Sequence, residues 1–249
     1  MRLRVVSWNV DSRPTGLLDA KVDLLRRLRP DLALLQEISR SVYRALLPHP
    51  SAHERMHQQA RAFSWGALST DLSTPRGSEF RLGCAVLGVS STALVDAQVL
   101  HKAPFEVRDP VRTGFLWRTV AARVALSTGA LLTAGSFRGR PGALDELQGA
   151  GPSAAVLRQA FHTGVARWLA GVPAPVVFGL DAGAAIEGAD PLLGPQPAHD
   201  LVTVLRATDD YLWASRGLEV LDVQCLATEA AAAGSDHPLL LADLALRDP

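Results

Sequence analysis

Short apolar runs alternate along this chain with stretches of helical period. Residues 3–8 form the first run and read as a strand. From Leu17 to Leu28 the apolar positions Leu17, Leu18, Val22, Leu25 and Leu28 follow a helical spacing, which Pro30 ends. Residues 32–36 are apolar again. Strand, helix, strand is a βαβ opening and predicts a sheet with a covered face.

Farther on, Phe63 to Leu68, Leu82 to Val89, Trp117 to Leu126 and Ala130 to Phe137 read as strands. Gly129 marks a turn between the last two, which predicts an antiparallel hairpin. Residues 71–79 and 139–152, rich in Gly, Pro, Ser and charge, are expected to be loops. Residues 153–170 have helical spacing, with Val156, Phe161, Val165, Trp168 and Leu169 on one side, and Gly171 and Pro173 stop them. Val176 to Leu180 is a further buried strand, residues 186–198 a loop, and Leu201 to Arg206 a short helix. Tyr211 to Ser215 and Leu239 to Leu246 complete the strands. Antiparallel signals are plentiful, so the pattern favours paired mixed sheets with helices outside over a doubly wound sheet.

At 249 residues with no compositional break, the chain is expected to fold as one domain over residues 1–249. The formal net charge of +0 removes any global field toward nucleic acid or acidic lipid. It leaves room for a local basic cleft. The basic residues are nearly all arginine, which suits bidentate phosphate contacts. Cys84 and Cys225 have no CxxC spacing and read as two buried thiols in a reducing compartment. No signal-peptide pattern opens the sequence, and no apolar stretch reaches the roughly 18 residues of a membrane helix. The expectation is a cytoplasmic monomer with no membrane span.

Polar groups cluster where the apolar runs end. Asn9 follows the first strand and Glu37 the second. Asp181 ends Val176–Leu180, Asp210 precedes Tyr211, and Asp236-His237 precedes Leu239. Each alone suits a turn cap, a solvated rim or a surface imidazole. His53 and His57 are four apart, but no third ligand accompanies them, which argues against zinc.

In chain order the sequence reads Ser7-Trp8-Asn9, Gln36-Glu37, Trp117-Arg118, Ser136-Phe137, Gly179-Leu180-Asp181, Asp210-Tyr211 and Ser235-Asp236-His237. This series resembles the endonuclease/exonuclease/phosphatase superfamily over almost the whole chain. The resemblance implies an α/β fold, a four-layer α/β/β/α sandwich of two mixed, mainly antiparallel sheets flanked by helices. It also implies a Mg²⁺-dependent (or Mn²⁺-dependent) phosphoesterase of nuclease-like type. On that resemblance Glu37, with Asn9 and Asp236, holds the metal. Arg118 matches a superfamily arginine near the phosphate, and Arg138, which departs from the pattern, is expected by its own charge to bind phosphate as well. The catalytic group is His237, Asp181, Asp210 and Asp236. His237 contacts the scissile phosphate or accepts a proton from the attacking water, Asp210 orients the histidine, and Asp181 positions the water. The partner implied is a phosphate ester, with nucleic acid left open because the net charge does not point to it.

Two positions depart from the superfamily pattern. Gly183 stands where an asparagine is expected, and Arg138 where a histidine is expected. Losing one positioned polar donor costs about 10²–10³ in rate, and Arg138 cannot serve as a general acid near neutral pH. The metal-binding half is therefore expected intact and the water-positioning half weakened. The alternative is a degenerate member that binds a phosphate-bearing ligand or a protein partner without turnover.

Overall fold

A computed structural model describes residues 1–11, 17–47, 63–69, 83–99, 117–139, 168–169, 171–173, 175–182, 201–207 and 209–247. Its strands are β1 (Arg2–Asn9), β2 (Leu32–Ile38), β3 (Trp65–Ser69), β4 (Gly83–Gly88), β5 (Thr92–Val99) and β6 (Trp117–Leu126). Next come β7 (Leu131–Gly139), β8 (Val176–Asp181), β9 (Leu201–Ala207), β10 (Asp210–Ser215), β11 (Leu218–Leu226) and β12 (Leu239–Leu246). Among the described residues the helices are α1 (Leu18–Leu28), α2 (Arg40–Leu46) and α3 (Ala227–Ala232), and Trp168, Leu169 and Gly171 are helical as well. They form two mixed six-stranded sheets, ordered β11-β12-β1-β2-β4-β3 and β5-β6-β7-β8-β10-β9.

Strand alternation explains why the sheets stack. In β1, Leu3 and Val5 join the core between the sheets, while Val6 and Trp8 join a second core under the helices. In β2, Leu32 and Leu34 face the other sheet and Ala33 and Leu35 face the helices. Val120, Ala122, Ala134, Val177, Leu212 and Ala214 supply the second sheet's half of the inner core. Burying each large apolar side chain of this kind is worth roughly 1.5–3 kcal/mol.

The helices pack by the same logic. Helix α1 buries Val22, Leu24 and Leu25. It ends at Arg29 in the left-handed conformation, whose N–H donates to the Leu25 carbonyl at 3.1 Å just before Pro30. Ser39 caps α2, its hydroxyl accepting from the Val42 N–H at 3.3 Å. On the far face of the second sheet, Phe137 meets Phe178 and Trp168 edge-on, and Tyr211 stacks on Trp213 with centroids 4.9 Å apart. Among the described residues no helix is long and apolar enough to cross a membrane.

The βαβ opening and the β6–β7 hairpin about Gly129 form as the pattern predicts. Two expectations fail. Residues 201–206 are not a helix but most of strand β9, which pairs antiparallel with β10. The edge of β10 needs a hydrogen-bonding partner, and the β-branched Val202, Thr203 and Val204 suit a strand. Trp213 Nε1 also donates to Thr203 Oγ1 at 2.8 Å. Cys84 is buried as expected, but Cys225 is exposed, because β11 is an edge strand whose residues mostly face solvent. The pattern also missed α2, α3, β5 and β11. The expected loops at 71–79 and 186–198, nearly all of that at 139–152, and nearly all of the expected 153–170 helix lie outside the described residues.

Candidate functional site

Both sheets direct polar residues to one end of the sandwich. Asn9 is the last residue of β1 and shares the inner face with Leu3 and Val5. Arg138, Asp181 and Asp210 lie side by side on the second sheet, since Arg138 is level with Asp181 in the parallel β7–β8 pair and Asp181 is level with Asp210 in the antiparallel β8–β10 pair. Register alone aligns these three. Arg118 is level with Arg138 in the hairpin, although its side chain lies outside the description, as does Gly183.

Glu37 reaches the site by a different route. Period-two alternation in β2 would turn it toward the helices with Ala33 and Leu35. Its backbone instead has φ of 49°, and the pairing of β2 with β4 shifts register between Leu35 and Ile38. A left-handed non-glycine residue in a bulged strand costs of order 1–3 kcal/mol and persists only where its surroundings enforce it. Here the turn brings the carboxylate against Asn9 and Arg138.

The contacts form one network. Asn9 Nδ2 donates to Asp181 Oδ2 at 2.8 Å and to Glu37 Oε1 at 3.3 Å, while Asn9 Oδ1 accepts the Asp11 N–H at 3.0 Å. Arg138 makes an ion pair with Glu37 through Nη2 and a second with Asp181 through Nε, at 3.3 Å from Oδ2. Asp210 Oδ2 lies 2.9 Å from His237 Nδ1. Asp181, Asp210 and His237 each offer a ligand-type atom, and these lie within 4.8 Å of one another. Asp236 is the outlier. Its side chain is 69% exposed and comes only within 3.8 Å of His237 Nε2.

Ser235 ties the two ends of the chain together. Its hydroxyl donates to the Asn9 carbonyl at 2.7 Å and accepts the His237 N–H at 3.1 Å. Gly234, with φ of 81°, supplies the turn that sets this up. Behind the site, Gln36 Nε2 donates to Ser136 Oγ at 3.1 Å and Ser136 Oγ to the Leu35 carbonyl at 2.7 Å, tying the sheets together.

Burial and charge set the protonation of the dyad. For Asp210, burial raises the pKa; the hydrogen bond and charge of His237 oppose it, and the balance stands at about 6. For His237, burial disfavours the charged ring. The hydrogen bond and charge of Asp210, helped by Asp181 and Asp236, outweigh that and lift it to about 9.

One neighbour of the site escaped the sequence reading. Lys21, on α1, is fully buried, and its Nζ donates to the Asp11 carbonyl at 2.6 Å. Burial pulls its pKa down, against the charges of Asp11 and Asp236. A charged residue on the apolar face of a helix was the available signal.

No protein-family model matches the chain, and neither does any curated protein sequence. Solved structures do match it. The human Nocturnin catalytic domain with bound sulfate superposes with a TM-score of 0.70 at 15% identity, over 99% of this chain and 95% of that one. An endonuclease/exonuclease/phosphatase from Beutenbergia cavernae gives 0.61 at 18% identity, over 98% and 72%. D. rerio TDP2 complexed with single-strand DNA product gives 0.64 at 14% identity, over 98% and 99%. The chain therefore has the α/β sandwich fold of the endonuclease/exonuclease/phosphatase proteins.

Proposed function

We propose that the protein is a metal-dependent phosphoesterase, most readily of phosphodiesters. The observation that carries this reading is the meeting of the hydrogen-bonded Asp210–His237 dyad with Asn9, Glu37 and Asp181 at one rim of the sandwich. The fold of the sulfate-bound and DNA-product-bound neighbours supports it.

The donors suit a hard divalent cation, because Glu37 and Asp181 present carboxylate oxygens. Glu37 is the carboxylate proposed to hold Mg²⁺ or Mn²⁺, with Asn9 beside it and Asp236 at the exposed rim. The ion, when bound, supplies charge neutralisation for a phosphoryl oxygen. Asp210 fixes the imidazole through Nδ1 and leaves Nε2 directed away from the dyad, where it can donate to a phosphate oxygen. Asp181 is the acid proposed to orient the attacking water. Arg118 and Arg138 are the proposed phosphate contacts, and the absence of an asparagine at Gly183 is proposed to slow the reaction.

Purified protein with Mg²⁺ or Mn²⁺ on plasmid DNA, abasic duplex and a chromogenic phosphodiester tests this. Turnover lost by about 10² or more in Glu37→Ala is the expected result. No turnover on any substrate, or full turnover in Glu37→Ala, overturns it.

One observation favours a second reading. Arg138 pairs with Glu37 and Asp181, the carboxylates proposed for metal and water, as suits a member without turnover. A large gain of activity from an inert parent, on combining Gly183→Asn with Arg138→His, supports that reading. A fast parent ends it.

A further inference from the structure

Two carboxylates meet at the rim in a nearly dry setting, since Glu37 is 3% exposed and Asp181 is 2% exposed. Buried like charges held together are costly unless a cation lies between them. In this chain a side chain supplies that cation. Arg138 Nη2 pairs with Glu37 Oε1, and Arg138 Nε lies 3.3 Å from Asp181 Oδ2. These are the same two oxygens that accept from Asn9 Nδ2. Asn9 thus holds the two oxygens together, and the guanidinium neutralises them.

We propose that Arg138 is a tethered counter-cation that competes with a divalent ion for Glu37 Oε1 and Asp181 Oδ2, so that metal loads only when the guanidinium leaves. The inference rests on the reading that this rim takes a divalent ion, and it adds a regulatory step to it. Two cations on one pair of oxygens repel, so occupancy is exclusive. The arginine has a way out. The Arg138 side chain is 16% exposed where the carboxylates are 4% and 3%, and it sits one residue from the end of β7. A released guanidinium would then be available to an incoming phosphate.

The test compares wild type, Arg138→Gln and Arg138→Lys by Mn²⁺ binding, read by electron paramagnetic resonance, with hydrolysis assayed on the same samples. Arg138→Gln is expected to bind Mn²⁺ tighter by roughly tenfold or more, the factor that about 1.4 kcal/mol of relieved repulsion gives. Arg138→Lys, which keeps the charge, is expected to stay near wild type. Equal affinity in wild type and Arg138→Gln, or no binding in either, overturns the competition. A second arm needs no variant. The Arg138 Nε–H signal in ¹⁵N NMR should lose its protection as Mg²⁺ saturates the wild-type protein, and a signal unmoved at saturation also overturns the proposal. The two ideas separate cleanly. Mg²⁺-dependent hydrolysis with equal Mn²⁺ affinities ends the competition and leaves the phosphoesterase standing. Tighter binding in Arg138→Gln with no hydrolysis in any sample does the reverse.

Discussion

His237 holds its proton chiefly because of Asp210, with Asp181 and Asp236 adding to the effect. Burial alone would strip the ring of charge, and Asp210 at 2.9 Å reverses that. Because the folded value, about 9, lies above the ordinary one, the dyad's contribution from His237 is complete below about 6.5 and fades as pH rises through 9. The raised Asp210 acts in the same sense at lower pH: its contribution is complete below about 4 and is lost as pH rises through about 6, because burial disfavours the carboxylate. NMR titration of the His237 ring should therefore show a midpoint near 9 in wild type and a clear fall in Asp210→Asn. An unchanged midpoint would mean that Asp210 does not set it. The position of the histidine was legible in Ser235-Asp236-His237. Its partner was legible only through the superfamily resemblance, since Asp210 stands 27 residues away.

Strand β1 illustrates how an element is held at both ends. Its C-terminal end is tied by Ser235 to the turn after α3. At its N-terminal end Arg2 and Arg4 both pair with Asp243 on the antiparallel β12, Arg4 Nε lying 2.9 Å from Oδ1. The hydrogen bonds from Arg2, then Arg4, hold the Asp243 carboxyl down at about 2. A depressed carboxylate stabilises above its unfolded pKa, near 4, and that contribution vanishes as pH falls through 2. Urea midpoints measured at pH 5 and near pH 2 should fall less in Asp243→Asn than in wild type. An equal fall would show that the pair is idle. Strand β9 carries the opposite lesson at this scale. The local pattern of residues 201–206 suits a short helix, and the demand of β10 for a partner makes them a strand.

The two sheets approach closely at Gly179, beside the site. At Gly179 a Cβ would lie 2.2 Å from Ser7 Oγ and 2.8 Å from Ser7 Cβ, so no side chain fits there. Gly179→Ala should cost about 1–3 kcal/mol by overpacking, read as a lower denaturant midpoint. Ser7→Gly in the same protein should restore part of the loss, and strictly additive losses would show that the contact is not the cause. The cost should extend to activity, because Asp181 lies two residues beyond Gly179 on the same face.

The local pattern determined the strands at 3–8, 32–36, 117–126, 130–137 and 176–180, and with them two side-chain faces for each. That follows from the period of two in a strand, which needs no knowledge of neighbours. The order of polar residues at strand ends was legible too, and with it the candidate site. The folded structure alone decided where those ends meet. Register set Arg138, Asp181 and Asp210 in one row, and a serine hydroxyl joined residue 235 to the end of β1 at Asn9. The left-handed backbone at Glu37 contradicts the alternation that its own strand announces. Among the described residues, contacts from β1 and β7 and the bulged pairing with β4 help hold that conformation. The same contacts gave Arg138 two carboxylates to neutralise, a pairing between residues 101 and 43 positions apart. Sequence spacing carries no record of it.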